Sequence, residues 1–185
     1  SVLDLSKVRM YQLQYQDLEW YRDELQCEIN IVAGDTDSFF LECKGVNIEK
    51  DLLPRMIDDG LLDTSNYNKD HPLYSREFDS KIGLIKDENK GSKYKEWVFL
   101  KPKCYSLLGD KESMKAKGVN LKNTEIRHQT YVNVYETGEI VSVNQERIGS
   151  INHQLYTMKF SKVALSGIDN KRCWIGKNKS LAYGH

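Results

Sequence analysis

Residues 28–44, EINIVAGDTDSFFLECK, place two apolar strand-like runs on either side of an acidic turn. This feature constrains the fold most, because two short apolar runs around Gly34-Asp35-Thr36-Asp37 specify a β-hairpin with acids at its tip. An ordinary hairpin turn needs one Asp or Asn and a Gly. It does not need a second acid. If the turn continues the pleat, residues two apart face the same side, so Asp35 and Asp37 stand together and Thr36 points away. Two adjacent carboxylates resist joint ionisation. A divalent cation relieves that repulsion and prefers hard oxygen ligands. Two such ions about 3.5–4 Å apart can stabilise the attacking and leaving oxygens of a phosphoryl transfer. A calcium loop counted from Asp35 needs Gly at its sixth position and Glu at its twelfth, where Phe40 and Val46 stand instead. A plain acidic turn is the alternative. Phe39-Phe40 argues against it by implying that the second strand is buried beside its acids.

Upstream, Ser1 to Asp4 form a capping-box pattern. Leu5, Val8, Tyr11, Tyr15, Leu18, Tyr21 and Leu25 then recur at steps of three and four, which predicts an amphipathic helix packed on a sheet. Downstream, residues 47–59 read as a short helix interrupted by Pro54. The polar stretch 63–80 reads as an exposed loop. KIGLIKDE and EWVFLKPKCYSLL read as two strands, with Gly91 turning the link between them. Residues 112–122 open as a strand. Residues 121–135 form a helix with Leu121, Ile126, Val132 and Tyr135 as its stripe. Thr137-Gly138 is a turn, and EIVSVNQERI and HQLYTMKFSKVALS are two further strands. The tail 167–185 reads as irregular, with Asp169-Asn170-Lys171 as a turn. The fold class expected is therefore α+β, an antiparallel sheet with packed helices.

The chain has 185 residues, enough for one domain or two small subdomains, and its formal net charge is zero. Any case for nucleic acid must then be local. Between residues 101 and 122 there are six Lys (101, 103, 111, 115, 117 and 122) against Asp110 and Glu112, a local charge of +4. A phosphate track requires such a patch, although a solvated lysine-rich hairpin has the same composition. No apolar run approaches the ~20 residues of a membrane helix, so no membrane partner is expected. Cys27, Cys43, Cys104 and Cys173 form no CxxC pair and do not cluster with the four His, which disfavours zinc. Their spacing suits free thiols in a reducing compartment and leaves two disulfides open. His71 and His128 read as isolated surface or loop residues, His153 has no evident chemistry, and Trp97 and Trp174 read as packing residues. Ser1 in place of Met, with an amphipathic pattern from the start, suggests part of a longer protein.

GDTDS, Gly34 to Ser38, resembles motif C of family-B DNA polymerases. The order of the later segments is similar too. Lys103-Cys104-Tyr105 resembles the K-x-Y motif of that family. KAKGV, residues 115–119, resembles the Lys-Gly segment at the palm–thumb junction. SVLDLSKVRMYQLQY resembles the palm helix before motif C, and NHQLYTMKFSKVALSGIDNKRCWI with LAYGH resembles the C-terminal segment of protein-primed polymerases of Maverick/Polinton-type transposons and related viruses.

The resemblance implies a partial palm over residues 1–119 and a thumb with C-terminal segment over 120–185. It implies Asp37 as a principal Mg²⁺ ligand, Asp35 as a second, Lys103 and Tyr105 on the primer-strand backbone, and Lys117 on the duplex beyond. The implied partners are primer–template DNA, deoxynucleoside triphosphates and a terminal protein primer. Those roles suit the residue types: Lys supplies a compact charge for phosphate and Tyr a hydroxyl for phosphate or a minor-groove edge. The pattern is also incomplete. DxxSLYP, which carries another metal-binding Asp, and KxxxNSxYG, which handles the nucleotide, are not in the chain, and no exonuclease acids are found. Ala33 stands where a larger residue such as Tyr is usual, and Pro54 is unexpected in a helix. The expectation is therefore part of a DNA-directed DNA polymerase that does not catalyse alone. The alternatives are a non-catalytic nucleic-acid-binding remnant and a metal-binding fold of unrelated origin.

Overall fold

The computed structural model describes residues 1–168, 172–177 and 179–182. It is a mixed helix-and-strand protein with small, mostly antiparallel sheets. The chain divides into two compact units, Ser1–Lys93 and Tyr94–His185. The boundary expected after residue 119 falls inside the second unit. Asp169, Asn170 and Lys171 lie outside the described residues.

The first unit opens with α1 (Val2–Gln12), a π-helical turn (Leu13–Asp17) and α2 (Leu18–Glu24). Ser1 caps α1: its Oγ accepts from the Asp4 N–H and donates to the Asp4 carboxylate at 2.6 Å. The expected stripe holds only in its C-terminal half. Leu18 and Tyr21 are buried, and Leu25 packs against them. Leu5, Val8, Tyr11 and Tyr15 are 52–72% exposed. α1 buries no residue on any face, and the wide turn shifts the line that follows it. The Leu18 N–H bonds the Leu13 carbonyl five residues back, so the buried line runs through Leu13 instead of Tyr15.

Strands β1 (Glu28–Gly34) and β2 (Phe39–Lys44) form the expected antiparallel hairpin. Ile29 is fully buried, and Phe39 and Leu41 pack onto the same core. A register shift between Ile31 and Ala33 leaves Val32 as the odd residue of a bulge just before the turn. Residues 48–58 are helical as expected, in two parts: a π-turn (Ile48–Leu52) and α3 (Leu53–Asp58). Pro54 is the second residue of α3, directly after the π-turn, so the change of helical pitch falls where the proline interrupts the hydrogen-bond ladder.

The stretch 63–80 is irregular but not wholly exposed. Asp63, Thr64 and Tyr67 are buried. The two-residue strands β3 (Leu62–Asp63) and β4 (Ile85–Lys86) pair in parallel and set Asp63 opposite Lys86, 3.0 Å away. Ser65 and Ser80 donate their backbone N–H groups to the same carboxylate. Burial alone would raise the Asp63 pKa. The donors from Ser65, Lys86 and Ser80 outweigh it and hold the group at about 2.

In the second unit, β5 (Tyr94–Lys101), β6 (Cys104–Gly109) and β7 (Glu112–Ala116) form a three-stranded antiparallel sheet. EWVFLKPKCYSLL is thus a hairpin and not one strand. Pro102 with Lys103 at φ 59° supplies the two-residue corner between Lys101 and Cys104. α4 (His128–Thr137) packs on β5 and β6 and stops at Gly138. Its buried line is His128, Tyr131 and Val134, and Tyr135 is exposed. Cys104, Ala116, Ile126, Ala164 and Leu165 complete that core.

Strands β8 (Val141–Ile151) and β9 (Gln154–Leu165) form a long antiparallel ribbon, as the sequence predicts. Asn152 and His153 both take left-handed backbone angles at its tip, so His153 is a turn residue. The tail is not irregular throughout: β10 (Arg172–Gly176) and β11 (Lys179–Ala182) pair antiparallel. Trp174 is exposed there and does not pack in a core. The four cysteines are free thiols. Among the described residues, no helix is long and apolar enough to cross a membrane.

Candidate functional site

The acids of the first hairpin lie in the turn, beyond the ends of the strands. The premise that they stand two apart on one strand is therefore corrected. Thr36, between them, has φ 59°. A β-branched residue rarely adopts that angle. The Asp35 carbonyl gathers the turn: it accepts from the Asp37 N–H at 2.7 Å, the Ser38 N–H at 3.2 Å and Ser38 Oγ at 3.2 Å. Thr36 Oγ1 donates to Asp35 Oδ1 at 3.2 Å. At Gly34 an added Cβ would meet the Ser38 carbonyl at 3.1 Å and the Phe39 ring at 3.2 Å, so this position favours Gly. The result is a tight, strained tip with Asp35 half-buried and Asp37 exposed. Strain of this kind is retained where surrounding structure holds it, and it collects at functional sites.

As donors to Mg²⁺ the two acids fit in kind, since both are hard carboxylates. They do not make a full ligand set. Among the described residues, no group of three or more His, Cys, Asp or Glu is arranged to hold a metal ion.

The other expected site residues lie in the second unit. Lys103 is at the exposed β5–β6 corner. Tyr105 lies on the sheet face away from α4, in a row with Phe99 (ring centroids 5.4 Å apart) and Trp97, which is 6.3 Å from Phe99. Lys115 on β7 is directly opposite Tyr105 in register. Lys117 is exposed just past β7. The sheet thus gathers Tyr105, an aromatic row and Lys115 on one face, with Lys103 and Lys117 both just beyond the Cys104–Ala116 pair at one end. Cross-strand register brings Lys115 to Tyr105. Composition alone gave it no special place among the six lysines.

A second cluster has no counterpart among the sequence expectations. His128 is buried, not on the surface. Its Nδ1 is 2.8 Å from Ser106 Oγ, and Glu112 Oε1 accepts from its backbone N–H. Its Nε2 is 3.2 Å from Glu96 Oε1 but not aligned for a hydrogen bond. Ser106 is completely buried. A nucleophile needs access to substrate, so this Ser–His–Glu grouping ties β5, β6 and β7 to α4 and does not attack anything. No sequence signal reveals it, because the contact needs the sheet to be formed first.

In the first unit an open cleft of about 510 Å³ lies beside the π-turn, lined by Arg9, Asp17, Trp20, Tyr21 and Asp59 among others. Its charges pair with one another: Arg9 with Asp17 at 2.9 Å, and Asp59 with Tyr21 Oη at 3.0 Å and with Arg55. Burial, then the Asp59 carboxylate, pushes the Tyr21 pKa upward. No protein-family model, curated protein or solved structure matches the chain.

Proposed function

We propose that the chain is the palm-remnant and thumb portion of a protein-primed family-B DNA polymerase, of the transposon or related viral type. Its part in template-directed nucleotide addition is to supply motif C acids and a grip on primer–template DNA. The observation that carries this reading is the turn Gly34–Ser38. It joins a bulged antiparallel hairpin and holds Asp35 and Asp37 at a strained tip. The ordered K-x-Y and Lys-Gly segments support it, since Lys103, Tyr105 and Lys115 border an aromatic sheet face suited to a nucleic-acid strand.

In this reading Asp37, with Asp35 beside it, would contribute ligands for Mg²⁺, and bound Mg²⁺ neutralises charge developing on the transferred phosphoryl group. Lys103 and Lys117 would hold the phosphate backbone, and Tyr105 would donate its hydroxyl to a phosphate or a groove edge. DxxSLYP and KxxxNSxYG are not in this chain, so its contribution to catalysis is partial. A second reading is a nucleic-acid-binding module without catalysis. The same aromatic and basic face favours it, and it needs no metal.

Binding of the 185-residue chain to a primer–template duplex across a salt series tests both readings. The expected result is an association constant that falls log-linearly with salt. Lys103→Ala should reduce the slope by about one. Asp37→Asn should leave binding unchanged. Absence of salt-sensitive binding rejects both readings.

A further inference from the structure

The turn that follows β7 is strapped to the β8–β9 ribbon by two side chains. Gln145 on β8 uses both ends of its amide. Its Nε2 donates to the Gly118 carbonyl at 3.2 Å, and its Oε1 accepts from the Asn120 N–H at 3.0 Å. Lys162 on β9 donates to the same Gly118 carbonyl at 3.1 Å. In the ribbon register Gln145 is opposite Phe160 and Lys162 is opposite Val143, so the two side chains come from neighbouring positions of one surface. The turn closes on itself as well, through the Val119 N–H to the Ala116 carbonyl at 3.0 Å.

Gly118 makes the approach possible. Its φ is 71°, and an added Cβ would fall 2.3 Å from Lys162 Nζ. Any side chain there would displace Lys162. Ala116, at the start of the turn, is buried in the second core. Lys117 is therefore an exposed corner residue between a buried Ala and a carbonyl held by two donors.

We propose that Gln145, helped by Lys162, is a positioning residue for nucleic-acid binding: it fixes the turn that presents Lys117 to the duplex backbone. This inference rests on the binding reading above. The amide carries no charge, and both its ends are taken by the turn. Its effect on binding must pass through the turn.

The test is a salt series of duplex binding by the full chain, comparing the unmodified protein, Lys117→Ala, Gln145→Ala and the double variant. Lys117→Ala should lower the salt slope by about one, as loss of one phosphate contact does. Gln145→Ala should lower it by the same amount although it changes no charge, and the double variant should add nothing. Hydrogen exchange should accelerate at the Asn120 amide in Gln145→Ala. Gln145→Met keeps the length of the side chain and repeats the test if the Ala variant does not fold. A normal slope in both Gln145 variants, beside a reduced slope in Lys117→Ala, overturns the positioning role and leaves the binding reading standing. A normal slope in Lys117→Ala itself, or no salt dependence in the unmodified chain, overturns the binding role and the positioning role together.

Discussion

Asp63→Ala should destabilise the first unit by about 3 kcal/mol near neutral pH, because it orphans buried donors and a paired ammonium. The carboxylate is 5% exposed and takes Lys86, the Ser65 N–H and the Ser80 N–H. Its pKa falls from 3.8 to about 2 on folding. A carboxyl with a depressed folded pKa contributes stability above its unfolded pKa and loses that contribution as pH falls through the folded value. That lowered pKa corresponds to roughly 2 kcal/mol at pH 7. The window of loss runs from about pH 5 down to pH 2. Chemical denaturation of both proteins at pH 7 and at pH 3 reads this directly. The gap between them should narrow at pH 3. A gap that stays constant would show that Asp63 acts only by packing.

That prediction also shows where sequence patterning runs out. Asp63 opens a stretch so rich in polar residues that it reads as an exposed loop, and its partner Lys86 is far along the chain. The burial comes from a two-residue parallel pair that leaves no period to detect. Local signals did better wherever turn chemistry and alternation agree. The β1–β2 hairpin, the Gly138 stop and the β8–β9 ribbon are all legible for that reason. The first helix departs from its stripe in two ways: α1 buries no residue, and the π-turn at Leu13–Asp17 breaks the constant 3.6-residue turn that steps of three and four assume.

The candidate site divides in the same way. Its acids and its lysines are visible as residue types at a spacing. The left-handed Thr36, the Tyr105–Lys115 pairing and the Gln145 strap depend on backbone angle and register, which composition does not encode. A lone His on a weak helical stripe gives no sign that His128 is buried against Ser106, which reaches it only from a formed sheet.

Tyr131→Ala should be the most damaging change in the second unit, at about 3–5 kcal/mol, as for other large buried aromatics. The ring is completely buried beside Val134, Cys104 and Leu165, and its hydroxyl donates to the Lys115 carbonyl at 2.9 Å. Burial, with Cys104 and Glu112 adding to it, pushes the phenol pKa upward, so the hydroxyl keeps its proton for that bond. Tyr131→Phe separates the two contributions. It preserves the packing and removes one hydrogen bond, so its cost should be about 1 kcal/mol. The bond also reaches the candidate interface, because Lys115 stands opposite Tyr105 on β6. If the hydroxyl anchors β7 for binding, Tyr131→Phe should weaken duplex affinity at low salt while the chain remains folded. If affinity is unchanged and only stability falls, the bond serves the core alone, and the register of β6 with β7 is sufficient to place Lys115.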